Sequence, residues 1–275
     1  MNEQSLQERI GEISRKRELT GVSIAVHDYR DGGSFDLDAD RWFHAASVIK
    51  VAVLLGVFKS IDAGLYRLDD PVHVRNRFRS VADGSVYRVE RDRDGDVECH
   101  RRVGRTMHIA ELARAMIVRS SNLATNLLVD LLGLEPIQKT LSAADVQGVR
   151  MVRGVEDNAA FERGLNNEMT ASGACQLFRV IHERKFLKQE SHERMRDILL
   201  AQEFNAMIPA KLPPAFKVAH KTGEISTHSH DAGVVYPPER ESYVIAILTQ
   251  SESTADQRSR AVAEISAEVF AHLTE

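Results

Sequence analysis

A hydroxyl and an amine stand three residues apart in Ser47-Val48-Ile49-Lys50. On a helix that is almost one turn, so both side chains share a face. A serine hydroxyl is a poor nucleophile until a neighbouring group takes its proton. Lysine can do this only when neutral. Its reference pKa near 10.4 leaves it about 99.96% protonated at pH 7, and neutralising it costs roughly 4.6 kcal/mol. Burial among Val48, Ile49 and Val51, or a nearby cation, reduces that cost. A helix starting here also leaves free backbone N–H groups near Ser47, useful against a developing oxyanion. The same four residues fit a plainer role, an N-cap serine followed by a lysine whose stem lies on apolar surface.

Two further patterns change that balance. Ser120-Ser121-Asn122 opens the apolar helical stretch Leu123-Ala124-Thr125-Asn126-Leu127-Leu128. Two hydroxyls and an amide can act there on a substrate or simply cap the helix. His220-Lys221-Thr222-Gly223 falls at the end of a predicted strand. Its lysine supplies positive charge, its threonine a donor, and its glycine lets a substrate backbone lie close along the strand edge. A strand-end turn is the plain alternative.

These residues need elements to bring them together. Leu6, Ile10 and Ile13 predict an opening amphipathic helix. Gly21-Val22-Ser23-Ile24-Ala25-Val26-His27-Asp28 predicts a strand, and Asp31-Gly32-Gly33 turns it into a second one around Ser34-Phe35-Asp36-Leu37. From Ser47 a buried helix runs to about Ala63-Gly64, where the glycine stops it. Residues 70–106 are polar and turn-rich, and Val86-Tyr87-Arg88-Val89 followed by Asp94-Gly95 predicts an exposed hairpin. Helical periodicity fills most of residues 109–201. Three strands in a meander follow, around residues 216–220, 232–236 and 243–248, and a last helix carries Val262, Ile265, Val269 and Leu273 on one face.

Strands at both chain ends with a helical middle predict an α/β (α+β) fold. One antiparallel five-stranded sheet is built from both ends and flanked by the terminal helices, with an all-helical lobe alongside. The division expected is a single unit over 1–275, with 1–45 and 204–275 forming the sheet lobe and 46–203 the helical lobe. A cleft between them is the expected place for a site.

Composition narrows the function classes. Of 275 residues, 43% are hydrophobic and 28% charged, as in ordinary globular chains, and a formal charge of −4 gives no reason to expect a nucleic acid as partner. The longest apolar run, residues 48–58, is broken by Lys50 and falls short of the about 20 residues that span a bilayer. The polar start Met1-Asn2-Glu3-Gln4-Ser5 lacks the apolar stretch of a secretory signal. Cys99 and Cys175 are too few for a disulfide framework and are read as free thiols, Cys175 in the core.

In this order and at these intervals, the three patterns resemble the signature motifs of class A β-lactamases and penicillin-binding proteins. The resemblance covers roughly residues 20–273, including the strand pair before Ser47, Ile61-Asp62-Ala63-Gly64, Glu111-Leu112 and Ala124-Thr125-Asn126-Leu127-Leu128. It looks nearest to class A-related serine hydrolases that read Ser-Ser-Asn where better-known enzymes read Ser-Asp-Asn. It implies a serine β-lactamase/DD-peptidase-like fold, no cofactor, and a small β-lactam or a D-Ala-D-Ala peptide as substrate. It also implies roles. Ser47 attacks the carbonyl with Lys50 in its proton path, and Ser120 passes a proton to the leaving nitrogen. Asn122 binds the acyl side-chain amide, Lys221 and Thr222 hold the substrate carboxylate, and the N–H groups of Ser47 and Glu224 form the oxyanion hole beside Gly223.

Fast hydrolysis in class A needs a glutamate that activates water. The resemblance places it at Glu156, 36 residues after Ser120, with Asp157 and Glu162 as competing carboxylates. The usual Glu-x-x-Leu-Asn is replaced by Glu156-Asp157-Asn158-Ala159-Ala160, so a partner for the water falls to Asn158 or Asn166. Arg153 and Glu168 stand where the family has a loop-closing ion pair. The family's carboxylate-binding arginine is replaced by His230.

Other features carry plainer readings. His228-Ser229-His230-Asp231 lacks the spacing of a zinc run, and no metal site is expected. Asp92-Arg93-Asp94-Gly95-Asp96 lacks the later ligands of a calcium loop and is read as a hairpin turn. Trp42 and Phe43 are expected in the core. The function expected is a β-lactam hydrolase, against a DD-peptidase or esterase of the same fold. A non-enzymatic penicillin-binding sensor is disfavoured, because nucleophile, amine and oxyanion elements are all present. The chain is expected to be monomeric. The resemblance favours a periplasmic or secreted mature form, while the chain start leaves a cytoplasmic one open.

Overall fold

The computed structural model describes residues 3–274. Five strands form one antiparallel sheet in the order Lys217–Ile225, His228–Tyr236, Tyr243–Gln250, Gly21–Asp28, Ser34–Leu37. Both chain ends therefore meet in the sheet, with Ile24 opposite Ile247. Strand Lys217–Ile225 is an edge, so one of its sides faces the helical part of the molecule.

Side chains alternate across a strand, and this sheet sorts them by size. Ile24, Val26, Val218, Val235, Tyr243, Ile245 and Ile247 fill one face, beneath helices Glu3–Lys16 and Ala255–Thr274. Those helices contribute Leu6, Ile10, Val262, Ile265 and Val269. The other face is small, with Ala25, Ala219, Ala232 and Ala246 in one core with Val244 and Leu248. Alanine lets helix Ala171–Glu183 lie close on the strands. That core continues without a break into the helices that carry the first two motifs.

Helix Lys50–Asp62 follows a 3-10 turn over Ala46–Ile49. Val51, Ala52, Val53, Leu54 and Leu55 are all fully buried, so the helix is wrapped on every side rather than amphipathic. Each of these buried valines and leucines contributes about 1.5–3 kcal/mol. Gly64 ends the run at φ 74°, where Leu65 N–H reaches back to the Ser60 carbonyl.

Three local expectations change. The Lys-Thr-Gly segment lies inside a strand that continues to Ile225, because its partner strand begins at His228 and pairs throughout. Val86–Tyr87 pairs with Phe78–Arg79, while Asp94-Gly95 leaves that hairpin and docks elsewhere. Phe43 is buried, but Trp42 is 44% exposed and lies beneath the Arg150 guanidinium. Both cysteines are free and buried, Cys99 as fully as any core residue. Among the described residues no helix is long and apolar enough to cross a membrane.

Candidate active site

The start of helix Lys50–Asp62 meets the edge strand at Gly223. A Cβ there would stand 2.9 Å from Ser47 N and 3.0 Å from Ala46 Cβ, so only glycine permits this approach. Ser47 consequently lies against the strand, at one wall of a cleft of about 580 Å³. Asn122, Glu156, Arg153, Phe161 and Glu224 line the same cleft.

Lys50 is fully buried behind Ser47. Its Nζ lies 2.6 Å from the Ser120 carbonyl, 3.1 Å from Ser120 Oγ and 2.7 Å from Asn122 Oδ1. Burial lowers its pKa to about 7, against the opposing pull of Asp94 and Glu156. Both protonation states fit these partners. An ammonium donates to all three oxygens, whereas a neutral amine donates to two and accepts from the Ser120 hydroxyl. Lys221 is also fully buried, on the strand's alanine face. Its Nζ donates to the Thr222 carbonyl at 2.8 Å, and burial together with the Lys50 charge holds its pKa well below the lysine range.

Asn122 joins this amine to an acid. Its Nδ2 donates to Glu156 Oε1 at 2.6 Å and to the Arg93 carbonyl at 3.2 Å. The other Glu156 oxygen accepts from Glu90 N–H at 3.4 Å. Burial raises the Glu156 pKa, and the Asn122 and Glu90 hydrogen bonds oppose the shift. Of the competing carboxylates, Asp157 caps helix Asn158–Glu162 through Ala160 N–H, and Glu162 is exposed off the cleft.

The backbone is held in unusual shapes at three of these points. Ala46, Ser120 and Glu156 have φ of 46°, 58° and 59°. Left-handed backbone costs a non-glycine residue about 1–2 kcal/mol, so surrounding contacts must enforce it.

Asp94 braces the backbone just after Ser120, and its contacts were not evident from the sequence. Its carboxylate is buried and accepts from Asn122 N–H at 3.1 Å, Leu123 N–H at 2.8 Å and Ser121 Oγ at 3.3 Å. His100 Nε2 lies 2.9 Å away. Gly95 lets the segment dock, since a Cβ there would fall on the Arg119 carbonyl oxygen. The only signal was the Asp-rich run itself, which reads equally well as a turn.

The sequence profile of the beta-lactamase enzyme family matches residues 5–273. The chain belongs to the beta-lactamase enzyme family. A beta-lactamase of Bacteroides uniformis is 26% identical over 286 residues, covering 96% of this chain and 90% of that one. A mutant of the last common ancestor of Gram-negative bacteria class A beta-lactamase superposes with TM-score 0.86 at 25% identity, covering 98% of this chain and 99% of that one. A PBP-A mutant, solved as an acyl-enzyme complex with penicillin G, superposes with TM-score 0.81 at 23% identity, covering 98% and 96%.

Within this beta-lactamase-family fold, the expected residues do not all reach the cleft. Ser47, Asn122, Glu156 and Glu224 line it, Lys50 and Ser120 stand directly behind, and Lys221 and Thr222 are buried in its wall. His230 does not reach it. It is fully buried, with Nδ1 accepting from Thr249 N–H at 3.1 Å and Nε2 donating to the His44 carbonyl at 2.9 Å. It has no free ring nitrogen for a substrate carboxylate, and burial lowers its pKa to about 3. The expected Arg153–Glu168 ion pair is also absent, since Glu168 pairs with Arg150 at 2.9 Å. Asn158 lines the cleft, whereas Asn166 does not.

Proposed function

We propose that this protein is a class A-like serine β-lactamase working through an acyl-enzyme on Ser47. One observation carries the reading: Asn122 bridges Lys50 and Glu156 at 2.7 Å and 2.6 Å in the cleft that Ser47 lines. That chain of contacts gives an amine poised near neutrality and a carboxylate able to receive a proton.

In this reading the neutral Lys50 takes the Ser47 proton as Oγ bonds to the lactam carbonyl carbon. The oxyanion is held by the N–H groups of Ser47 and Glu224, and losing one such donor typically costs about 2.7–4 kcal/mol. The lactam C–N bond then breaks, and Ser120 delivers a proton to the departing nitrogen, recovering it from Lys50. Thr222 offers its hydroxyl as a donor to the substrate carboxylate, and a protonated Lys221 behind it in the wall favours that charge. Glu156 takes a proton from water as the water oxygen bonds to the acyl carbon. The ester bond to Ser47 Oγ then breaks, and the proton held on Glu156 returns to Ser47 Oγ, restoring both groups. The left-handed backbone at Ser120 and Glu156 supports the reading, because strain of this kind persists where geometry matters.

A second reading, a DD-peptidase or a slow penicillin-binding protein, draws support from the unusual residues after Glu156 and from the sealed His230. Intact mass and nitrocefin turnover separate the two. Fast turnover that Glu156→Gln abolishes, leaving Ser47 stably acylated, is expected. Equal, stoichiometric labelling of both proteins would favour the second reading. No adduct on Ser47 would end both.

A further inference from the structure

Arg153 is 6% exposed, lines the cleft, and forms no ion pair among the described residues. Its Nη1 donates to the Gly154 carbonyl at 3.1 Å, and its Nε has no hydrogen-bond partner. A buried guanidinium normally stands against a carboxylate. The nearby carboxylates are engaged elsewhere: Asp157 on the N–H groups of Val81 and Ala160, Glu156 on Asn122 and Glu90.

His44 adds a second, independent sign. Burial and the Arg153 charge lower its pKa to about 4, so the ring is neutral and has one acceptor nitrogen. Two donors point at it, Ala46 N–H at Nδ1 (3.1 Å) and Arg153 Nη2 at Nε2 (3.3 Å). Whichever tautomer forms, one donor faces another donor. If Nδ1 accepts from Ala46, then Nε2–H and Nη2–H both await an acceptor at the cleft wall. Phe161, 50% exposed, lies 5.7 Å from the guanidinium carbon and offers a ring face beside it.

We infer that Arg153 and His44 form a subsite for a carboxylate on the acyl side chain of the substrate, with Phe161 packing against the apolar part of that side chain. The inference rests on the acyl-transfer reading above and specifies its substrate class. One carboxylate oxygen lies between Arg153 Nη2 and His44 Nε2–H, relieving the surplus of donors. The subsite is distinct from Lys221 and Thr222, which lie on the edge strand.

A matched pair tests this: benzylpenicillin and α-carboxybenzylpenicillin, which differ by one carboxylate. The readout is the ratio of their second-order constants for acylation, by stopped flow and intact mass. The native protein is expected to favour the carboxylated compound by about tenfold or more, the value of one charge-assisted contact. Added sodium chloride should narrow the ratio, and Arg153→Met should bring it near one, with Arg153→Lys between. Should Arg153→Met fail to fold, the native ratio and its salt response decide alone. Equal constants in the native protein overturn the subsite and leave the Ser47 reading intact. An Arg153→Met variant that slows both compounds equally overturns it too, assigning Arg153 a structural role. Acylation by neither compound overturns both readings.

Discussion

On one side of the cleft, Asn122 has every polar group engaged. Its backbone N–H reaches Asp94, its amide donates to Glu156 and Arg93, and its oxygen accepts from Lys50. Elsewhere on the lining, Arg153 keeps an unpartnered Nε and shares an overcommitted histidine. Both residues are polar and both line the same cavity. The difference separates two tasks. Proton transfer needs groups fixed before the substrate arrives, since reorganising buried dipoles during reaction raises the barrier. Recognition gains when the substrate itself completes a donor set, because an analogue lacking that group leaves the donors unpaired.

The largest expected effect tests whether the fixed side is chemical. Lys50→Met should slow acylation by a β-lactam by about 10²–10⁴, and the native rate should rise with pH through about 7 as Lys50 loses its proton. Stability should rise with pH as well, from about 7 upward. The native pKa of Lys50 lies below its unfolded value near 10.4, so between about 7 and 10.4 the unfolded chain binds more protons and stability rises with pH. Below about 7 both states are charged and the full penalty applies. Lys50→Met should therefore be no less stable at neutral pH and should flatten that rise, with Lys221 keeping a share of it. Urea unfolding at several pH values, beside stopped-flow acylation, checks both. A variant that acylates at the native rate would remove the chemical meaning of the fixed side.

Next in size is the brace beneath Asn122. Asp94→Ala leaves Asn122 and Leu123 N–H groups and the Ser121 hydroxyl without their buried acceptor. Leaving such groups unsatisfied should cost about 3 kcal/mol. Acylation should fall about tenfold or more in the folded fraction, as Asn122 and Ser120 lose their setting. Asp94→Asn, which keeps one acceptor oxygen, should fall between. If denaturation and acylation both match the native protein, the brace is incidental.

Gly223→Ala tests the strand's approach rather than its charges. The added methyl meets Ser47 N and two neighbouring carbons within 3.0 Å, and the Ser47 contact is backbone that cannot swing away. Overpacking of this kind typically costs about 1–3 kcal/mol. Here part of it should appear as displacement of Ser47, lowering acylation about tenfold while the fold persists. Near-native acylation would mean that the distance between strand and nucleophile is not critical.

How much of this was legible beforehand depends on whether the cause was local. The sheet was readable because Gly21–Asp28 and Tyr243–Gln250 carry β-branched runs and turn residues that speak for themselves. That Lys50, Ser120 and Asn122 would meet near Ser47 was readable because their spacing resembles a known arrangement. Asp94 was not, since the Ser121, Asn122 and Leu123 donors it accepts from lie 27 or more residues away and only folding joins them. His230 was misread because position alone decided its role. A strand residue faces one side or the other, and strand pairing put this ring in the core beside Phe43. The Lys-Thr-Gly strand was cut short because its polar residues look like a turn until the pairing with His228–Tyr236 is known.

His230 also gives the smallest expected effect and a check on the other side of the comparison. His230→Leu removes the acceptor for Thr249 N–H and the donor to the His44 carbonyl, both inside the protein. A loss of about 1–3 kcal/mol is expected, with KM for a penicillin changed by less than about twofold. The pH response carries a sign. The native pKa, about 3, lies below the unfolded value near 6.5, so His230 stabilises the fold above that value and loses this contribution as pH falls toward 3. His230→Leu should therefore soften acid denaturation in that window, leaving the share that His44 contributes with the same sign. A KM that rises tenfold would put this ring back among the groups that touch substrate. A KM that holds, while Arg153→Met shifts the substrate ratio, would place recognition on the unsatisfied wall and leave His230 a part of the core.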